Sequence, residues 1–237
     1  MTIRYPNATD AIAAGEGVYA PQADSHLLIE AISLSGAIEG ARVLDFCAGT
    51  GVVGIAAAML GARHVTAIDM CRRAVDCCRR NAQTYELDVD VRLGTLVDAL
   101  DSGPYDVVLC NPPYMPESPG FEQERHAAAI GSPLAWNAGA DGRRVLDPLC
   151  AQSAALLTPS GSMFIVQSVV ADVQQTLQTL NDSGLTAAVI ARRELPFGPV
   201  MRSRVAWLKR TGRLPVDCGT EEIVVIRGDH QEGGTSG

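Results

Sequence analysis

The sequence predicts an α/β domain built on a mainly parallel sheet with helices on both faces. Short apolar runs alternate with helical apolar periods from residue 24 onward, and short loops join them. That alternation is the pattern of strand–helix–strand units. The length, 237 residues, and a hydrophobic fraction of 47% suit one sizeable core. A single domain over 1–228 is expected, with residues 1–40 as an N-terminal extension packed on it. The Gly-rich end, 229–237, is expected to fray.

The elements follow in order. HLLIEAISL reads as a helix that Asp24 or Ser25 could cap. ARVLDF (41–46) is a short buried strand, CAGTG a loop and VVGIAAAML a small-residue helix. ARHVTAID (62–69) is the second strand, and MCRRAVDCCRRNAQTY a helix with a basic face. LDVDVRLG (87–94) alternates apolar and polar residues, as a strand with one exposed face does. YDVVLC (105–110) is the fourth strand, followed by a Pro-, Gly- and Ser-rich loop to about residue 140. RRVLDPLCAQSAALL (143–157) reads as a helix with Pro148 as a possible kink. GSMFIVQS (161–168), LTAAVIARRE (185–194) and EEIVVIRG (221–228) complete a count of seven strands. Helices over 171–182 and near VMRSRVAWLKRTG bring the helix count to six.

Composition narrows the partners. The net charge of −8 weighs against a general nucleic-acid binder. One stretch is locally basic: Arg192, Arg193, Arg202, Arg204, Lys209, Arg210 and Arg213 against the single acid Glu194. It is either a solvated face or a surface for an acidic partner. The seven cysteines, 47, 71, 77, 78, 110, 150 and 218, form no CxxC pair. Neither a disulfide framework nor a zinc site is expected, and no metal. Cys47 and Cys110 read as small core residues. A cytoplasmic location is expected. The first ten residues carry no apolar signal core, and no apolar run is long enough for a membrane span.

The segment VLDFCAGTGVVG contains G-x-G-x-x-G, at Gly49, Gly51 and Gly54. Glycines there turn the chain tightly after strand one and let a ligand approach the backbone at a helix start. By itself the pattern is shared by many cofactors. Two acids discriminate. Asp45, on the strand just before the loop, would repel a pyrophosphate but suits a cationic amine. Asp69, ending strand two, can accept both hydroxyls of a ribose. The pair favours a ligand with ribose and positive charge but no phosphate, which describes S-adenosyl-L-methionine.

DFCAGTG followed by AIDM resembles motif I and the acidic loop of class I methyltransferases. The resemblance implies a Rossmann-like, seven-stranded, mostly parallel sheet whose last strand is antiparallel. It implies a cofactor site of Asp45, Ala48, Gly49, Thr50, Gly51, Asp69 and Met70. Asp45 would order the cofactor's amino-acid end, Gly49 to Gly51 would pass beneath its methionine part, Asp69 would hold the ribose, and Met70 would pack on the adenine. Many such enzymes place an acid after strand three; here Gly94-Thr95-Leu96 stands there, so Thr95, Leu96 or backbone would take the adenine edge.

Asn111-Pro112-Pro113-Tyr114 then acquires a chemical context. An acceptor –NH₂ with a delocalised lone pair attacks poorly. Two hydrogen-bond acceptors aimed at its protons can hold the nitrogen in line: the Asn111 side-chain oxygen and the Pro112 carbonyl. The prolines fix both before substrate arrives, and Tyr114 offers a flat face. Such positioning is worth up to about 7–11 kcal/mol of barrier, and the same acceptors stabilise positive charge developing on nitrogen. These four residues are the candidate catalytic group, with Asn111 also beside the cofactor.

Asn-Pro-Pro-Tyr resembles the signature of amino-methyltransferases acting on adenine N6 or on glutamine side chains. GVYAPQADSHLLIEAI resembles the N-terminal segment of HemK2/Mtq2-like glutamine N5-methyltransferases, which implies that Tyr19, Pro21, Asp24 and Ser25 lie against the cofactor. AWNAGADGRRVLD (135–147), LPFGPVMRSRVAWL and EEIVVIRG resemble that branch further on. The match covers residues 17–228. Only about 16 residues precede it, so the separate helical domain of the longer release-factor enzymes is not expected. The resemblance implies a protein substrate presenting a glutamine, as a release factor does. In eukaryotic and archaeal relatives a small zinc-binding activator pairs near the edge strand, here 87–93.

Other readings carry less. An adenine N6 methyltransferase on nucleic acid, a lysine or small-molecule N-methyltransferase, an NAD(P)-binding oxidoreductase and a decayed scaffold are the rivals. Trp136 and Trp207 read as core residues before peptide contacts. Phe121 and His126 lie in the loop after the Asn-Pro-Pro-Tyr tip, and His26 reads as surface or core.

Overall fold

The computed structural model describes residues 12–118 and 133–230. Seven strands form one sheet: β1 (Arg42–Phe46), β2 (His64–Asp69), β3 (Val89–Leu93), β4 (Tyr105–Cys110), β5 (Leu157–Ser168), β6 (Leu185–Pro196) and β7 (Thr220–His230). Their order is β3-β2-β1-β4-β5-β7-β6. β1 to β5 pair in parallel, and β7 runs antiparallel to both β5 and β6. The expected Rossmann-like class and its antiparallel last strand are therefore present.

Among the described residues there are eight α-helices: α1 (Ala23–Ser35), α2 (Val52–Met59), α3 (Arg72–Thr84), α4 (Leu96–Ser102), α5 (Leu146–Ala151), α6 (Ser153–Leu156), α7 (Val173–Asp182) and α8 (Pro199–Arg210). Central strands are apolar on both sides because both faces are covered. Val107 to Cys110 of β4 and Met163 to Val166 of β5 are all buried. On one face α1 and α2 bury Leu28, Ile32 and Ile55 against Val43, Leu109 and Phe164. On the other, Leu146, Leu149 and Leu180 pack on Leu44, Val108 and Ile165.

Several expectations need correction. α4 fills the stretch between β3 and β4, to which the sequence pattern assigns no element. Its start is a capping box: Asp98 Oδ2 accepts from the Thr95 N–H at 2.7 Å and from its hydroxyl at 2.9 Å. The helix expected over 143–157 is two short ones that break at Gln152. Pro148 makes no kink, because it sits in the first turn of α5, where N–H groups have no helical partner. Neither Asp24 nor Ser25 caps α1; Gln22 holds the cap position without a side-chain bond, and both residues lie buried inside the first turn. β7 continues to His230, past the expected strand end. The basic stretch is not one surface. Arg192 pairs with Glu222 and Arg193 with Glu30, while Arg204 is fully buried. No helix among the described residues is long and apolar enough to cross a membrane.

Candidate active site

The sheet order turns back on either side of β1 and β4, which lie side by side with Phe46 opposite Cys110. A crevice opens at the carboxyl ends of strands at such a point. Its floor comes from the β1–α2 loop. Asp45, 1% exposed, accepts the Gly54 N–H at 2.8 Å through Oδ2. A Cβ on Gly54 would stand 2.9 Å from that oxygen, so only glycine lets the two segments close. Gly49 and Gly51 adopt positive φ. Burial pushes the Asp45 carboxyl up to about 7, the Gly54 hydrogen bond opposes this, and Asp69 adds to the rise.

Asp69 ties the loop from the next strand. One oxygen accepts the Gly49 N–H at 2.9 Å and the other the Cys71 N–H at 2.8 Å. Burial raises its pKa, and these two bonds draw it back. Each oxygen keeps a lone pair for a hydroxyl in the crevice. Cys47 departs from its expected place. It is half-buried, has φ of 62° and lines the crevice, because the chain must leave β1 sharply to start the loop.

Tyr19, Pro21, Ser25, Asp45, Ala48, Gly49, Thr50, Asp69, Met70, Thr95, Leu96 and Asn111 all line this first cleft. Two expected cofactor contacts do not. Gly51 stands behind the wall, where an added Cβ would lie 2.4 Å from the Cys78 sulfur. Asp24 faces a second pocket instead. The Thr95 hydroxyl donates to Asp98 in the cap, and Thr95 still lines the cleft. Arg144, Val145 and Pro148 also line the cleft, and the sequence reading missed them. Val145 is the cap position of α5 and Pro148 lies in its first turn, a helix start that carries no short motif.

The second pocket opens on the far side of the Asn-Pro-Pro-Tyr tip. Asn111, Pro112, Pro113, Tyr114, Trp136 and Met201 line it, with Asp24 and Glu221 as its acids. Tyr19, Asn111, Pro113 and Ala135 line both cavities, so the two meet at the end of β4. Asn111 donates from Nδ2 to Ser25 Oγ at 3.1 Å, which leaves its oxygen for a ligand. The Tyr114 hydroxyl donates to Asp24 Oδ2 at 2.9 Å. Asp24 Oδ1 takes the Ser25 N–H at 2.7 Å. Burial, then the Asp24 and Glu221 carboxyls, hold the Tyr114 phenol well above its ordinary range. Trp136 is buried and its ring leans on Tyr19 at 6.2 Å between centroids, so it is core and pocket wall at once. Trp207 packs beside Met201 and Leu208, as expected for core. His26 is exposed. Phe121 and His126 lie outside the described residues.

The comparisons with known proteins agree with this geometry. A family model described as a methyltransferase small domain matches residues 12–124. A Methanocaldococcus jannaschii protein assigned to the protein N5-glutamine methyltransferases is 30% identical over 184 residues, covering 78% of this chain and 89% of that protein. This chain belongs to that family. A release factor glutamine methyltransferase of Deinococcus radiodurans is 37% identical over 145 residues, covering 59% of this chain. The match takes in only 49% of that longer enzyme. Among solved structures, the E. cuniculi Mtq2–Trm112 complex, which methylates the eRF1 translation termination factor, gives a TM-score of 0.60 at 19% identity. It covers 91% of this chain and 99% of that one, and shares its fold.

This glutamine methyltransferase relative is an S-adenosylmethionine-dependent methyltransferase. The residues present fit that donor. The cleft offers carboxylate lone pairs for a ribose at Asp69 and a glycine floor without a bulky side chain. No group of three or more metal-ligating side chains occurs among the described residues.

Proposed function

We propose that the chain methylates the side-chain amide of a glutamine in a protein, of the release-factor kind. The observation that carries this reading is the junction of the two cavities at Asn111 and Pro113. S-adenosylmethionine supplies an electrophilic methyl on a sulfonium. On the protein side, Asp69 binds ribose hydroxyls, while Asp45 works through the loop by holding Gly54. Tyr19, Pro21 and Ser25 wall the donor, with Ala48 to Thr50 beneath it and Met70, Thr95 and Leu96 around the adenine.

The acceptor amide enters the second pocket. Asn111 Oδ1 and the Pro112 carbonyl take its two N–H protons and aim the nitrogen at the cleft. Ser25 keeps the Asn111 amide turned the right way, because its hydroxyl accepts from Nδ2. Pro113 and Tyr114 form the wall, and the Tyr114–Asp24 bond fixes the ring. No tuned base is needed, since these same acceptors stabilise charge developing on nitrogen.

Residues 12–230 act as one methyltransferase domain in this reading, and the enzyme works in the cytoplasm, where translation factors are. β3 is the sheet edge at which a small zinc-binding activator would add, as the E. cuniculi relative is seen with a partner. The Asp90–Arg92 pair lies along that edge strand.

The deciding experiment incubates the enzyme with labelled S-adenosylmethionine and a panel of release factors, ribosomal proteins and DNA, then maps the methyl by mass spectrometry. The expected product carries it on a glutamine side-chain nitrogen. A label found only on DNA, or only on lysine, would overturn the assignment.

A further inference from the structure

Asn81 lines neither cavity and has no part in the mechanism above. It lies toward the end of α3 and is 5% exposed. Asparagine is a poor helix former, and a buried amide costs stability unless its hydrogens are bonded. Here Nδ2 donates to the Thr50 carbonyl at 2.8 Å and to the Ala13 carbonyl at 3.0 Å. A primary amide nitrogen carries two hydrogens, one for each. Two carbonyl partners also fix which end of the amide faces them.

The two carbonyls belong to different walls of the donor cleft. Thr50 is in the glycine loop, and Ala48, Gly49 and Thr50 line the cleft. Ala13 belongs to a strap, residues 12–21, from which Gly17, Val18, Tyr19 and Pro21 line the same cleft. The strap turns at Gly15–Val18. There the Val18 N–H donates to the Gly15 carbonyl at 3.0 Å, and Gly17 has φ of 74°. Cys77, one helical turn before Asn81, meets the strap as well. Its sulfur accepts the Gly15 N–H at 3.3 Å and donates to the Ala13 carbonyl at 3.3 Å. Val18 packs on Ala74 and Cys77. Those contacts hold the strap to α3, whereas the Asn81 bonds join the strap to the glycine loop.

We infer that Asn81 is a positioning residue for the methyl donor: its one side-chain nitrogen sets the spacing of strap and glycine loop, so that the cleft stands formed before the donor enters. The inference rests on the donor reading of that cleft given above. Without the two bonds the donor must order the strap itself. Its apparent affinity then falls in proportion to the fraction of molecules whose strap is in place. The transfer step at Asn111 is untouched, because Asn81 lies outside both cavities.

The test compares the full chain with N81L, an apolar side chain of the same branched shape that donates to neither carbonyl. Calorimetry should give N81L a dissociation constant for S-adenosylhomocysteine about tenfold higher, the size of one to two neutral hydrogen bonds. Kinetics on the acceptor protein should show the donor KM raised by about the same factor and kcat within about threefold. A variant that only folds badly loses active molecules, which lowers kcat and leaves KM and affinity unmoved; that pattern would overturn the role. Hydrogen exchange gives a reading on the unaltered protein. The Val18 amide should be protected in the ligand-free wild type, and should exchange about tenfold faster in N81L while β1 and β4 keep their rates. A strap protected only once S-adenosylhomocysteine is bound, or exchange that rises equally in strap and sheet, would also overturn the inference. A wild type that does not bind S-adenosylhomocysteine would sink the donor reading itself, and that outcome is seen before any variant is compared.

Discussion

Asn111 and Ser25 are 86 residues apart in the chain, yet the Asn111 amide donates to the Ser25 hydroxyl at 3.1 Å. This bond joins the tip of β4 to the first turn of α1. It leaves the amide oxygen of Asn111 free of that bond.

Removing that bond should scramble the orientation without removing the catalytic group. S25A is expected to lower kcat about tenfold, one hydrogen bond's worth, and S25T to restore most of it. Single-turnover kinetics with saturating donor reads this directly. N111A should keep donor affinity and abolish transfer; a variant that still methylates at the wild-type rate would remove Asn111 from the chemistry.

Asp45 predicts a pH dependence. Its folded pKa, about 7, stands above the unfolded value for a carboxyl. The folded state therefore holds a proton that the unfolded state releases. Stability from this group is intact below the unfolded pKa, falls as pH rises toward 7, and stays lower above it. D45N keeps an acceptor for the Gly54 N–H and cannot ionise. The melting temperature of the ligand-free wild type, measured against D45N, should drop between pH 5 and 8. A constant difference would count against the buried acid. Affinity for the cationic donor should rise over the same window in wild type and stay flat in D45N.

Two glycines of equal backbone strain separate packing from conformation. Gly36 and Gly51 both have positive φ, but only Gly51 has a neighbour, the Cys78 sulfur at 2.4 Å from a would-be Cβ. G36A should cost about 1 kcal/mol, from the left-handed conformation alone. G51A adds overpacking of about 1–3 kcal/mol and should shift the glycine loop enough to weaken S-adenosylhomocysteine binding in calorimetry.

Arg204 looks like part of a basic surface in the sequence and is a buried strut in the fold. Its guanidinium donates to the Pro116 carbonyl at 3.0 Å and to Asn137 Oδ1 at 2.5 Å, tying α8 to the chain on both sides of the loop after the Asn-Pro-Pro-Tyr tip. R204A orphans both acceptors and should destabilise by about 3 kcal/mol or more. R202A, on the exposed side of the same helix, should change thermal stability by less than about 0.5 kcal/mol. Equal melting temperatures for the two variants would contradict the strut.

Much of this protein was legible in the chain itself. Seven apolar runs mark seven strands because a covered sheet must be apolar on both faces. The glycine loop is legible because it needs residues with no Cβ, and the Asn-Pro-Pro-Tyr tip because two prolines end a strand abruptly. α4 was also legible in principle, since Thr95 and Asp98 stand at capping-box spacing. What escaped depends on distance. Nothing in the residues beside Asp24 signals that its carboxylate accepts from Tyr114, 90 residues away; only the packing of α1 brings the two together. Arg204 could not be told from its solvated neighbours without knowing which side of α8 faces the core.

The sequence by itself determined the order of strands and helices along the chain, the glycine loop and the Asn-Pro-Pro-Tyr tip, because each is written in local periodicity and in residues that only certain turns accept. The tertiary structure alone decided how the tip is held: Ser25 on Asn111, Asp24 on Tyr114, and Glu221 brought from the last strand into the same pocket. The physical reason is that a polar group's partner is chosen by where sheet order and helix packing bring it, and neither is recorded in the residues beside it.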